Sequence, residues 1–469
     1  MIRKILLITI FFLALLLAGL LFFLFLTAKT PDVVPEPTTL VTALPPETET
    51  TVPPETTVPS TTVPSTTVPP TTVSVETEPP IQKTSITLSA IGDILLHDAV
   101  LDTCYDNVTQ TYDFSSIFHY ISGHFQASDW ALVNFETTLG GSYYKISGFP
   151  LFNSPDTILD ALENAGVNIL LTSNNHAYDT FSIGIRRTVE MIEGTQLQYL
   201  GTKKNAEDPN FKIFEKNGIR LGLACYTYES DSKGKSKSIN GINMKQEDAG
   251  LINSFNPFHP ESFYEETAQT IAQMKEEGVD GIIYFMHWGT EYSMEVNDQQ
   301  REIAQKLCDL GVDVIIGGHA HVVQPADLLT STVDESRKTV CLYSMGNAVS
   351  NQRGGYTKKV PTDHTEDGIM FRVTFSRYED GTVLLETAES LPIWVNMGKN
   401  PNSGKKEYNI LPLDKTMEDW KTAFDLTDKT LADALASYDR TMELVGEGMA
   451  KIDAYLSERV ETFEKNLTK

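Results

Sequence analysis

Downstream of residue 84 the chain alternates short apolar runs with amphipathic ones, and the apolar runs end abruptly in polar residues. SITLSAIGDILL (85–96) and WALVNFETTL (130–139) carry the β-branched, apolar pattern of strands. PDTILDALENAG (155–166) repeats at the three-to-four spacing of a helix, and VNILLTS (167–173) predicts the next strand. A helix near 181–193 follows, then a hairpin at Asn217-Gly218 joining FKIFEK to IRLGLACYTY. Helix 262–277 leads into strand 279–289, helix 298–310 into strand 312–321, and TVCLYSMGN (339–347) is one more apolar strand. A hairpin over 370–390 completes the sheet. Continuous apolar strands separated by helices predict an α/β fold with covered sheets. Residues 229–261 are polar and irregular, and predict a surface insertion or lid.

The two ends follow other patterns. Residues 5–27 form an uncharged apolar run, long enough for a membrane-spanning helix, with Arg3 and Lys4 before it. It reads as an uncleaved signal-anchor over 1–29, with a cleaved signal peptide as the rival reading, and places the rest of the chain extracellular in a single-pass arrangement at the cell membrane. Residues 30–83 hold a repeated Thr-Thr-Val-Pro-x unit, predicting a disordered stalk that reaches on the order of 150 Å when stretched. At the other end, apolar residues from Leu431 to Leu467 recur every three or four positions. This stripe predicts a helical extension over 414–469 that packs on its own domain or joins two copies of the chain. Gly446 and Gly448 should weaken it.

Composition narrows the partners. Among 469 residues the formal charge is −26, which excludes a basic nucleic-acid footprint. A polyanionic substrate would need a local counter-charge, and a metal ion is one source. Cys104, Cys225, Cys308 and Cys341 show no C-x-x-C spacing and read as buried small hydrophobes.

Five predicted strand ends carry metal-ligand chemistry. They are Gly92-Asp93, Asn134-Phe135-Glu136, Asn174-Asn175-His176, His287-Trp288-Gly289 and Gly318-His319-Ala320-His321. Taken singly, each is an ordinary turn, cap or structural histidine. Together, carboxylates, an amide oxygen and imidazoles are the set expected for a hydrolytic site with one or two divalent ions. His319 and His321, two apart, would point to one side of an extended chain. Open α/β sheets place their ligands at such strand ends. His119, His124, His259 and His364 lack a partner motif and read as structural or exposed.

In this order, GD…NFE…NNHAYD…HWG…GGHAHVVQP resembles the CapA family of capsule and poly-γ-glutamate synthesis, whose domain is similar to calcineurin-type metallophosphoesterases. The resemblance spans roughly 84–395. It implies a four-layer αββα sandwich over 84–413 and one or two divalent ions, Mn, Zn or Fe. Asp93 would bind the first ion and Glu136 would bridge. Asn175 and His287 would bind the second, with His319 and His321 divided between the two. His176 would be a general acid oriented by Asp179, and Asn174 would shape the turn.

Two departures bear on the ion count. The larger superfamily begins with Asp-x-His, whereas position 95 is leucine and His97 is the nearest histidine. Glu136 replaces the bridging aspartate, with Asn134 two residues before it. Arg186, Arg187 and Arg353 are the nearby cations available to an anionic substrate. The implied role is in making, exporting or tethering a capsular polymer, with that polymer or its synthase complex as partner. The alternatives are a non-catalytic polymer-binding scaffold and a general cell-surface metallophosphatase.

Overall fold

The computed structural model describes residues 83–354, 362–399, 404–417 and 419–467. In chain order, the main strands begin with β1 (Lys83–Ile94), β2 (Trp130–Phe135), β3 (Ile169–Leu171), β4 (Gln198–Leu200) and β5 (Phe211–Lys216). They continue with β6 (Ile219–Tyr228), β7 (Ser254–Phe255), β8 (Gly281–His287), β9 (Val314–Gly318) and β10 (Val323–Thr330). The last are β11 (Lys338–Met345), β12 (Asn347–Val349), β13 (Asp367–Tyr378), β14 (Val383–Lys399) and β15 (Lys406–Pro412). The main helices are α1 (Asp98–Cys104), α2 (Thr157–Ala165), α3 (Phe181–Glu193), α4 (Glu261–Glu276), α5 (Asp298–Leu310) and α6 (Asp428–Leu467).

One sheet has eight strands, ordered β15-β14-β13-β1-β2-β3-β4, with β12 also paired to β1. The other has seven, ordered β7-β6-β8-β9-β11-β10, with β5 paired to β6. The strands that reach the site, β1, β2 and β3 in one sheet and β8 and β9 in the other, run parallel to their neighbours in that group. Their carboxyl ends therefore gather at one edge.

The period-two pattern of β1 explains how the sheets meet. Ile86, Leu88 and Ala90 face Leu223, Phe285 and Leu342 of the second sheet in a core between the two. On the outer face of the first sheet, Leu159 and Leu162 of α2 and Val189 and Ile192 of α3 pack on Val133 and Leu170. On the outer face of the second, Ile271 of α4 and Ile303 and Leu307 of α5 cover Tyr284 and Ile315. The layers thus run helix, sheet, sheet, helix. α5 is well delimited: Asn297 and Gln300 form a reciprocal capping box, and Gly311 at φ +99° closes its carboxyl end.

The chain crosses from the second sheet to the first between β11 and β12, at Gly346. There the Gly346 carbonyl accepts from the Asp93 N–H at 3.0 Å, and a Cβ on Gly92 would lie 1.8 Å from that oxygen. Only glycine at position 92 allows the approach that fixes Asp93.

The carboxyl-terminal stripe packs on its own domain. Val445, Met449, Ile452 and Leu456 enter the core between the sheets, and Ala434 joins Trp394, Leu411 and Trp420 in a smaller one. Gly448, expected to weaken the helix, lets it close on β10, since a Cβ there would lie 1.8 Å from the Ala326 carbonyl oxygen. Arg440 grips the buried Asp367 carboxylate through two nitrogens at 2.9 and 2.6 Å, and Ser437 donates to it at 2.6 Å. All four cysteines are buried and unbridged.

The membrane expectation requires correction. Among the described residues no helix is long and apolar enough to cross a membrane, so single-pass anchoring at the cell membrane is not supported. The run 5–27 and the stretch 30–82 lie outside the described residues. β1 begins at Lys83, the last residue assigned to the stalk. β15, absent from the sequence expectation, extends the first sheet beyond the β13–β14 hairpin.

Candidate metal centre

Five strand ends bring their polar residues together in a buried cluster that draws on both sheets. Asp93 lies in β1, Asn134 in β2 with Glu136 just beyond it, and His287 ends β8. The turn after β3 supplies Asn175, and the bend after β9 supplies His319 and His321. All are 4% exposed or less.

Two sets of ligand atoms lie within 4.8 Å of one another, Asp93 with Glu136 and His321, and Glu136 with His287 and His319. Glu136 belongs to both. His321 Nδ1 is 2.9 Å from Asp93 Oδ2, and Glu136 Oε1 is 3.6 Å from His287 Nε2 and 4.0 Å from His321 Nε2. Asn134 Nδ2 sits among these groups, donating to Asp93 Oδ1 at 2.6 Å and to Glu136 Oε2 at 3.0 Å. It also lies 3.3 Å from His287 Nδ1, while His287 Nε2 meets Asn175 Oδ1 at 2.8 Å.

Two polar atoms are left over. Glu136 Oε1 and His319 Nδ1 are buried without a hydrogen-bond partner. Burial, and then the nearby Asp93 carboxylate, push the Glu136 carboxyl well above the ordinary range. Burial, and then neighbouring histidines, hold His287 and His319 well below theirs, so both rings are neutral, the form that ligates. A divalent cation fits this donor set. It would partner both orphaned atoms and offset the repulsion between the two carboxylates.

The two histidines after β9 adopt positive φ, +88° for His319 and +56° for His321, so they do not lie on an extended chain as the spacing suggested. Such backbone is sparsely populated for residues with a Cβ and is held only where the surroundings fix it. Here the His319 ring is packed between Tyr228 and His287, at centroid distances of 4.6 and 4.8 Å.

The sequence profile of the family "Bacterial capsule synthesis protein PGA_cap" matches residues 87–352, more than half of the chain. The chain belongs to this family. The residues of the buried cluster all fall within the matched region. The PGA biosynthesis protein CapA of Bacillus subtilis (strain 168) is 29% identical over 277 residues, 58% of this chain and 65% of the relative. The capsule biosynthesis protein CapA of Bacillus anthracis is 23% identical over 310 residues, 65% of this chain and 67% of the relative. A probable polyglutamine synthesis accessory protein of Mycobacterium tuberculosis is 23% identical over 230 residues, 49% of this chain and 57% of that one. This PGA_cap member thus spans about two thirds of the length of its Bacillus relatives. The solved structure of Haemophilus influenzae NAD nucleotidase matches 82% of this chain and 68% of that one, with TM-score 0.40 and 11% identity. That distance carries no functional weight.

Around the ligand cluster of this PGA_cap chain, His176 forms a second unit. Its Nδ1 meets Asp179 Oδ2 at 2.6 Å, and Asp179 also accepts from the Phe152 N–H at 2.7 Å. Asn240 Nδ2 donates to Asp179 Oδ1 at 3.0 Å and lies 3.3 Å from His176 Nδ1. Asn174 sits behind the turn, donating to the Phe135 carbonyl at 2.8 Å and accepting from the His176 N–H at 3.1 Å. His97 belongs to neither ligand set. Its Nδ1 accepts from the Asn351 N–H at 3.3 Å, and burial, then His321, lower its pKa to about 4.

The arginines offered for substrate are engaged elsewhere. Arg186 pairs with the buried Asp248, Arg187 with Asp156 and Arg353 with Glu366. The insertion after β6 is folded onto the domain, with Ile239, Met244, Leu251 and Ile252 packed against Ala177, Tyr178 and Ile185. It delivers Asn240, whose role sequence reasoning missed; the Asn240-Gly241 turn, with φ +51° and +70°, is the one local signal for it. Tyr228, the last residue of β6, is a second omission, since only the fold brings it over His319.

Proposed function

We propose that this chain acts in the synthesis, export or tethering of a poly-γ-glutamate-like or other capsular polymer, through a metallophosphoesterase-like hydrolytic site. The observation that carries this reading is the shared, buried Glu136 between two ligand sets, with its Oε1 and the His319 Nδ1 left without protein partners. Asp93, Glu136 and His321 would hold one ion, and Glu136, His287, His319 and Asn175 a second. Mn, Zn or Fe suits the mixture of imidazole and carboxylate.

A bound divalent ion would supply Lewis acidity toward a phosphoester or related acyl bond. The chain's own groups do the rest. Asn134 holds the two carboxylates side by side by donating to both. Asp179 keeps the His176 proton on Nδ1, which leaves Nε2 to exchange a proton with a leaving group. Phe152 and Asn240 fix Asp179 in turn.

Purification without chelators, metal analysis, and assays on generic phosphoesters and γ-glutamyl peptides test the reading. One or two ions per chain are expected, with turnover lost on removal and regained with Mn or Zn. A protein that holds no metal, and takes up neither ion when supplied, overturns it. Near-complete burial of the cluster supports a second, non-catalytic reading, in which the site serves polymer binding alone. Metal retention without turnover, together with a His176→Ala variant that keeps polymer output while His319→Ala abolishes it, would select that reading.

A further inference from the structure

The insertion after β6 carries Lys233, Lys235 and Lys237 in five residues, within a chain whose overall charge is −26. Their side chains line one cleft of about 430 Å³, with His259 and Asn256 on its other wall. The loop is shaped for this. Asp231 accepts from the N–H groups of Lys233, Lys235 and Ser236 at 3.0, 2.9 and 3.1 Å, curling the segment around a single carboxylate. Among the described residues the Lys233 and Lys235 ammoniums form no ion pair, and Lys237 Nζ donates to the Ile252 carbonyl at 2.5 Å. The one carboxylate in the lining, Glu229, already accepts from Ser254 Oγ at 2.7 Å.

The cleft does not stand alone. Glu229 and Phe255 are shared with a second cleft of about 250 Å³ that reaches Tyr228 and Trp288. Trp288 follows His287, and the Tyr228 ring packs on His319, so the two clefts adjoin at Glu229 and Phe255 and the second borders the metal centre. We propose that this lysine-lined cleft binds an extended polycarboxylate, whose successive carboxylates pair with the exposed Lys233 and Lys235 while the chain leads along Phe255 toward the metal centre. Screening confines charge effects to roughly 8 Å at physiological salt, so a local excess of ammoniums can hold a polyanion that the protein as a whole repels. Lysines act as separate point charges, suited to single carboxylates in series, whereas bidentate anion clamps are built from arginine.

This rests on the reading of the chain as a capsular-polymer protein, but its test does not require hydrolysis. Fluorescence anisotropy with labelled poly-γ-glutamate and the full chain should show binding that weakens with salt. The double variant Lys233→Gln/Lys235→Gln should bind about tenfold more weakly. It should keep its circular dichroism and its turnover of small phosphoesters. The loss in the lysine double variant should be the same in chelator-treated as in untreated protein, so that failure of the metal reading leaves this result intact. Equal binding by wild type and the lysine double variant overturns the proposal. So does inorganic polyphosphate binding as tightly as the polycarboxylate, since that indicates charge attraction alone.

Discussion

Two of the buried charge groups in this fold make a contrast, one complete and one not. At the seam between α6 and β13, Asp367 is fully buried, yet Arg440 and Ser437 occupy its oxygens. At the strand ends, Asp93 and Glu136 are equally buried and face each other with an amide between them, while Glu136 Oε1 and His319 Nδ1 have no hydrogen-bond partner. The seam is built to hold the helix. The strand ends could hold a cation, which would offset the cost of burying a second carboxylate beside Asp93.

The largest effect should come from Glu136→Gln. Metal content should fall to background and turnover drop on the order of a thousandfold, read by elemental analysis and initial rates. In metal-free protein the same change should stabilise, and increasingly so as pH rises above 4.5. A carboxyl whose folded pKa is raised costs stability once the unfolded chain has ionised.

At the seam the sign reverses. Arg440→Ala should destabilise by about 3–5 kcal/mol in denaturant titration, because it strands Asp367 without its partner. A paired Asp367→Leu/Arg440→Met variant should recover most of that loss. Next in size, Ile452→Ala should cost about 2–4 kcal/mol, whereas Leu435→Ala, on the exposed side of the same stripe, should cost less than about 0.5 kcal/mol. Equal costs would mean that the stripe is covered by something other than its own domain.

The smallest effect is a pH dependence at His97. Its pKa is held down at about 4 by burial and then by His321, so the unfolded chain binds the extra proton between pH 6.5 and about 4. Wild type should therefore lose stability as pH falls through that window. His97→Phe should lose less, which thermal melts at pH 7 and pH 4.5 would reveal.

The sequence disclosed the buried cluster because each of its polar groups follows an apolar run, and local pattern marks where a buried strand stops; the parts proposed for them as ligands came from the family resemblance. Asp93, Glu136, Asn175, His287, His319 and His321 were all visible in this way. What it did not disclose depends on contacts across the chain. Asn240 reaches Asp179 from an irregular insertion, and Tyr228 reaches His319 from another strand. Arg186, Arg187 and Arg353 looked free because their carboxylate partners lie 62, 31 and 13 residues away. The left-handed backbone of His319 and His321 was hidden too, since spacing alone describes an extended chain. β15 mixes polar and apolar residues, KEYNILP, and gains its strand identity from pairing with β14. The apolar run 5–27, read as a membrane anchor, gained no support, since among the described residues no helix meets the length and apolarity of a span.

Because Asp93 and Glu136 hang from one sheet and the three histidines from the other, the centre works as a caliper whose jaws are set by the thickness of the core between them. Leu132 and Phe285 lie in that core, away from the ligands themselves. Ions differ in preferred bond length by tenths of an ångström. Which ion such a site would hold could thus be tuned by a methyl group deep in the sandwich, with every residue of the cluster left in place.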